Sequence, residues 1–220
     1  MFCKIYLFRH GQTHYNAKKI FCGWKDSKLT KQGIKDARKI ARKLKDKRID
    51  IAFQTHLSRS KDTLRYVLKY HPECIGVIED DRMLERSYGD LQGKSHKWFV
   101  DVTGEEDYKT LLHWHKVDHL QGKEKEEFVK KVGEAELKIV RRSYDVAPPG
   151  GESIRDVEKR VKPFVKDLIK FVKENRVNVA ISAHGNSMRP FRRHFERLSL
   201  KEMMKLENPW DDCFEYKVRV

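Results

Sequence analysis

The stretch Cys3-Lys4-Ile5-Tyr6-Leu7-Phe8-Arg9-His10-Gly11 decides the fold, because an apolar run one strand long breaks at once into a cationic turn ending in glycine. Such a run, bounded by turn signals, reads as a buried strand. The same grammar returns late in the chain, where apolar residues 177–182 lead into Ala183-His184-Gly185-Asn186-Ser187. Between the two, Thr30 is placed to N-cap a helix running to about residue 44, with Ile34, Ala37, Ile40, Ala41 and Leu44 at helical spacing. Residues 49–55 read as a second strand. Ser58 opens a helix that turns Leu64, Val67 and Leu68 inward, and residues 74–78 give a third strand after Pro72. Strands and helices of these lengths in alternation imply an α/β fold, with a mostly parallel central sheet flanked by helices.

The middle of the chain is different. Residues 98–147 hold no strand pattern and read as two helices, 107–120 and 125–142, around the break at Gln121-Gly122, with Pro148-Pro149-Gly150-Gly151 as the stop. A helix over 153–174 follows, with Pro163 as a candidate kink. A helix from Ser187, a short helix over 199–206 and a last strand over 214–218 complete the pattern. The expected organisation is a single domain, 1–220, with a helical insertion at about 94–149.

The chain has 220 residues, a formal net charge of +15 and 37% charged residues. A basic field raises the local concentration of anionic ligands. Most of the lysines, however, are spread over every expected helix and read as a solvated surface. No basic stretch is interleaved with aromatics in the manner that stacks bases, which argues against a nucleic-acid binding module. Cys3, Cys22, Cys74 and Cys213 form no C-x-x-C pair and read as reduced thiols of a cytoplasmic protein. The opening apolar run has no cleavage site, and no stretch approaches membrane-span length. Nothing in the pattern decides oligomeric state, and a homo-oligomer is compatible with it.

Ligands of open α/β sheets bind beyond the carboxyl ends of the strands. His10 lies at one such end and can act as a covalent nucleophile. Arg9 beside it would attract phosphate and depress the imidazole pKa, keeping a ring nitrogen free to attack. A single strand-end histidine is more often structural. Here His184 repeats the arrangement at a helix start, where free N–H groups favour anions. Leu57-Ser58-Arg59-Ser60 adds an arginine at another strand-to-helix turn, and Leu84-Glu85-Arg86 with Tyr88-Gly89-Asp90 adds a carboxylate after the third strand.

In order along the chain stand Arg9-His10-Gly11-Gln12-Thr13 through Asn16, Gly23-Trp24-Lys25-Asp26, Leu57-Ser58-Arg59-Ser60, Glu85-Arg86 with Tyr88-Gly89, Gly150-Gly151-Glu152-Ser153, and Ala183-His184-Gly185-Asn186-Ser187. Taken together these resemble the histidine phosphatase superfamily, and within it the 2,3-bisphosphoglycerate-dependent phosphoglycerate mutases. The resemblance implies that His10 carries the phosphoryl group, that Arg9, Arg59 and His184 clamp it, and that Glu85 is the general acid and base. It implies 2,3-bisphosphoglycerate as primer, no metal, and a small phosphorylated substrate. On the substrate side it points to Asn16, Cys22, Gly23, Arg86, Tyr88, Lys97, Arg141, Arg142, Gly185 and Asn186. Arg141-Arg142-Ser143-Tyr144-Asp145, ahead of Pro148-Pro149, resembles the mutase insertion whose paired arginines hold the substrate.

The chain also departs from that pattern. Cys22 stands where mutases usually have threonine, and His96 replaces a substrate lysine, with Lys97 one residue later. The insertion is longer than usual and carries Trp98, Trp114, His113, His115 and His119, the histidines reading as surface residues. The short run after the last strand leads us to expect no covering tail and a site more open to water. The alternative activity is therefore hydrolysis of small phosphorylated metabolites by the same residues.

Overall fold

The computed structural model describes residues Met1–Val220. In chain order the elements are β1 (Phe2–Arg9), α1 (His14–Ala17), α2 (Lys31–Leu44), β2 (Ile51–Gln54), α3 (Ser58–Leu68), β3 (Gly76–Glu79), α4 (His96–His113), α5 (Gly122–Arg142), α6 (Ile154–Asn175), β4 (Val179–Ala183), α7 (Gly185–Glu196), α8 (Leu200–Lys205) and β5 (Cys213–Arg219). The sheet order is β3-β2-β4-β1-β5, with β5 the single antiparallel strand.

Alternation along β1 builds both sides of the core. Ile5 and Leu7 face one way, where they join Val179 and Ile181 under Val161, Phe164, Val165 and Leu168 of α6 and Met188 and Phe191 of α7. Tyr6 and Phe8 face the other way, against Ile40, Ala41 and Leu44 of α2 and Leu64 and Val67 of α3. Burying each of these large side chains contributes roughly 1.5–3 kcal/mol before chain entropy is set against it. The expected α/β class and mostly parallel sheet are therefore present. The register that matters pairs Arg9 with Ala183, so β1 and β4 end side by side and the residues after them become neighbours.

Helices α4 and α5 lie outside this sandwich. They pack on each other through two glycines, where a Cβ would come within 2.1 Å of a facing carbonyl: Gly104 against Val129 and Gly133 against Val100. Phe21, Leu91, Phe99 and Val140 form a small core that fastens the pair to the site loops.

Several boundaries differ from the expectation. The first insertion helix starts at His96, with Ser95 accepting from the Trp98 N–H as its cap, and ends at His113. Its mixed surface carries no apolar stripe, so periodicity could not find the start. The third strand is Gly76–Glu79 and not 74–78, and Val77 and Ile78 are exposed because it is a sheet edge. Helix α7 begins at Gly185 with His184 as its N-cap, two residues before the expected start. No helix is long and apolar enough to cross a membrane.

Candidate active site

His10 and His184 follow paired strand ends, and their ring centroids lie 4.9 Å apart. Both are buried. The Nδ1 of His10 donates to the Gly11 carbonyl at 2.8 Å, which leaves the Nε2 lone pair free. Burial first, then the Arg59 and Arg9 cations, hold His10 well below the usual imidazole range, so the ring is neutral. His184 is lowered for the same leading reason, burial, and then by Arg59, His10 and Arg9. Its ring is fixed at both nitrogens: Nδ1 accepts from Arg59 Nε at 3.3 Å, and Nε2 donates to Thr55 Oγ1 at 2.9 Å.

Arg59 is buried and fixed by three of its five N–H groups, with Nε on His184, Nη1 donating to the Lys25 carbonyl at 2.9 Å and Nη2 to the Gly23 carbonyl at 2.7 Å, which leaves one N–H on each Nη for a ligand. The Gly23-Trp24-Lys25-Asp26 motif is thus the cradle of this guanidinium. Trp24 also donates its indole N–H to the Glu85 carbonyl at 2.8 Å. Glu85 is buried, and its Oε1 accepts the N–H groups of Arg86 at 2.9 Å and Asn186 at 3.1 Å. The Glu152 carboxylate of the Gly150-Gly151-Glu152-Ser153 motif accepts from the Ser87 N–H at 2.8 Å and grips Arg160, which donates to the carbonyls of Arg82, Leu84 and Glu85. Two motifs far apart in sequence therefore converge on one job, holding the Glu85 loop.

Of these residues, Arg9, Gly23 and Glu85 open into a cleft of about 880 Å³ that Asn16, Cys22, Tyr88, Lys97, Arg141, Arg142, Gly185 and Asn186 also line, while His10, Arg59 and His184 lie buried behind its wall. Asn16 spends its Oδ1 on Thr13, leaving its amide NH₂ for a ligand. The Cys22 thiol donates to the Lys25 carbonyl at 3.2 Å, and burial pushes its pKa up. Lys97 is exposed and tied to Asp101 at 2.6 Å. His96, the departure noted beside it, also lines the cleft; it packs edge-on against Phe21 and is pushed down to about 4 by burial and the cations Arg141 and Lys19.

The arginine pair is not a matched fork. Neighbours on a helix point apart, and Arg142 already pairs with Glu207 at 3.2 Å. Arg86 stands behind the cleft wall: it is fully buried, stacked on Tyr88 with Cζ 4.5 Å from the ring, and donates from Nη2 to the Val140 carbonyl at 2.8 Å, with Nε and Nη1 left without partners. It joins the Glu85 loop to the insertion. His115 is 3 residues from its partner Asp118 on the exposed turn after α4, consistent with a surface role.

Other residues of the site carry no sequence signal. Arg160 and Thr55 lie in ordinary helical and strand contexts. Arg189, Asn208 and Trp210 reach the cleft only through the packing of α7 and the segment before β5. His10, Glu85 and His184 bring ligand-type atoms within 4.8 Å of one another. Two guanidiniums stand beside them and both nitrogens of His184 are occupied, so the electrostatics suit an oxyanion better than a cation.

The chain is similar to known proteins. The family model of the histidine phosphatase superfamily (branch 1) matches residues 5–119 and 112–214. A 2,3-bisphosphoglycerate-dependent phosphoglycerate mutase of Neisseria meningitidis is 33% identical over 218 residues, covering 98% of this chain and 94% of the relative. One of Nitrobacter hamburgensis is 37% identical over 207 residues, covering 92% and 86%. Among solved structures, a mycobacterial glucosyl-3-phosphoglycerate phosphatase superposes with a TM-score of 0.71 at 23% identity, over 97% of this chain and 90% of that one. A phosphoglycerate mutase of Bacillus anthracis gives 0.67 at 18%, over 97% and 87%. With the paired strand-end histidines, the arginine cradle and this likeness over nearly its whole length, the chain belongs to the histidine phosphatase superfamily, in the family of the 2,3-bisphosphoglycerate-dependent phosphoglycerate mutases.

Proposed function

We propose that this chain interconverts 3- and 2-phosphoglycerate through a phosphohistidine at His10, primed by 2,3-bisphosphoglycerate. The observation that carries the reading is the free Nε2 of a neutral, buried His10 beside the Arg9 and Arg59 cations, with Arg9 and Glu85 lining a cleft that continues to Arg141 and Arg142. The relatives at 33–37% identity bear the mutase name. Phosphoryl transfer is mostly positioning and charge stabilisation, which such a bed supplies.

In this reading the phosphoryl group of phospho-His10 passes to the free hydroxyl of the monophosphate, and Glu85 takes the hydroxyl proton. The bisphosphate so formed returns its other phosphoryl group to His10 Nε2, and Glu85 gives the proton back to the departing alkoxide. Arg9 and Arg59 hold the transferring group, and His184 serves the clamp by orienting Arg59 through its Nδ1. Asn16, Cys22, Gly23, Tyr88, Lys97, Arg141, Arg142, Gly185 and Asn186 surround the rest of the ligand, and the insertion 94–149 forms the outer wall of one working domain. A second reading, hydrolysis of phosphomonoesters, is favoured by the size of the cleft, which leaves room for water beside a three-carbon ligand.

Phosphorus NMR of 3-phosphoglycerate with pure protein, with and without catalytic 2,3-bisphosphoglycerate, separates the two. Primer-dependent 2-phosphoglycerate without matching inorganic phosphate is the expected result. Inorganic phosphate as the main product would replace the mutase reading with the hydrolase.

A further inference from the structure

Arg9 makes no ion pair within 4.0 Å, the Glu85 and Glu207 carboxylates acting on it only from beyond contact. The groups that hold its guanidinium are neutral, and most come from one segment between α8 and β5. The Trp210 ring lies with its centroid 4.8 Å from Arg9 Cζ. The carbonyl of Asn208 accepts from Arg9 Nη1 at 3.1 Å. On the other side, a Cβ at Gly185 would come within 3.2 Å of Arg9 Cζ, so the guanidinium is sandwiched between the start of α7 and the indole. Its Nε is shielded from solvent and has no partner.

The segment is itself anchored. Asn208 donates from Nδ2 to the Gly185 carbonyl at 2.8 Å, and its Oδ1 accepts from Arg192 Nη1 at 3.0 Å. Arg192 also donates to the Glu207 carbonyl at 2.9 Å. One strap therefore locates both Arg9 and the first turn of α7, whose Asn186 N–H holds Glu85. The phosphate cation and the proton carrier sit in a single frame.

From this we infer that Trp210 and Asn208 are positioning residues that aim Arg9 at the transferring phosphoryl group while leaving its charge unspent. A carboxylate would hold the guanidinium as firmly, but it would cancel the charge that develops its value only against the phosphoryl oxygens. An indole face and a backbone carbonyl fix the plane and leave the net charge intact. The turnover arm of the test rests on the phosphohistidine reading above, whereas the anion-binding arm does not.

The experiment is a double-mutant cycle on the full chain, crossing Trp210→Leu with Arg9→Gln and including Trp210→Phe as the conservative variant. Vanadate affinity is read by calorimetry, and kcat and KM are read with p-nitrophenyl phosphate. Trp210→Leu is expected to weaken vanadate and lower kcat about 10-fold, with KM moving less than about threefold, and Trp210→Phe to stay within about threefold of the parent. In the Arg9→Gln background the leucine change should have no further effect, which a merely structural role would not produce. Asn208→Ala, which frees the strap from Gly185 and Arg192, should shift vanadate affinity in the same direction. If Trp210→Leu does not fold, Trp210→Met replaces it in the same cycle.

An effect of equal size with and without Arg9, or none with Arg9 present, overturns the assignment. So does a parent that binds no vanadate. A parent that binds vanadate with the expected coupling yet turns over neither substrate would sink the phosphohistidine reading and leave the strap standing.

Discussion

At the scale of single residues, the site divides into groups that react and groups that hold them. His10 is neutral because burial and two cations make its protonated form costly, and its free Nε2 is the consequence of one bond to the Gly11 carbonyl. His10→Ala should abolish acid-labile, base-stable phosphate incorporation and lower turnover by about 10⁴-fold or more, since no other side chain can carry the intermediate. Undiminished labelling in that variant would show that the nucleophile lies elsewhere. Glu85→Gln keeps the shape but not the proton. We expect a loss of roughly 10²–10⁴-fold with phosphoglycerate and a much smaller one with p-nitrophenyl phosphate, whose leaving group needs no acid. Equal losses on both substrates would assign Glu85 to holding its loop. His10, Arg59 and His184 were legible in the sequence because each sits beside glycine or serine just after an apolar run, and Glu85 because it follows the third strand. The fate of Arg86 was not. Its neighbours read as ligand-binding residues, and only the docking of α5 shows that it is buried with Nη2 on the Val140 carbonyl.

Among the elements, the α4–α5 pair is lightly anchored: Phe99 and Val140 pack on Phe21 and Leu91, His96 on Phe21, Val140 accepts from Arg86, and Arg142 pairs with Glu207. Its internal packing depends on two close approaches at Gly104 and Gly133. Gly133→Ala would place a methyl 2.1 Å from the Val100 carbonyl, so the helices must separate. A destabilisation of about 1–3 kcal/mol is expected, seen as faster amide hydrogen exchange confined to α4 and α5. Gly122→Ala is the control. That glycine has φ +51° with nothing near its missing Cβ, so the change should cost only about 1–2 kcal/mol of backbone strain and leave the α4–α5 contact intact. Exchange that spread over the sheet in Gly133→Ala would mean that the insertion does not open as a separate unit. The sequence marked the break at Gly122 but put the first helix eleven residues late, at 107 instead of His96, because its polar and apolar residues share all faces of the helix.

For the whole molecule, two buried neutral histidines make stability depend on pH. Their folded values lie below the unfolded value of about 6.5, so as pH falls the unfolded chain takes up protons first. This part of the stability is fully present above about pH 6.5 and is lost as the pH drops toward the folded values, at up to ~1.4 kcal/mol per pH unit for each fully buried group. Urea unfolding of the ligand-free protein at about pH 7.5 and about pH 5.5 should therefore show a fall of roughly 1–3 kcal/mol. A flat profile across that interval would mean that one or both rings are charged in the folded state. The sequence by itself determined the sandwich and the chemistry at its edge, because apolar period and strand-end glycines are local properties that no packing has to supply. Gly23-Trp24 and Glu152-Ser153 entered the site through the family resemblance alone. Only the tertiary structure decided what those motifs do there, cradling Arg59 and holding the Glu85 loop. It also decided that Arg160, Asn208 and Trp210 share the work, because contacts between residues 75 and 199 positions apart depend on strand register and helix docking, which no local pattern encodes.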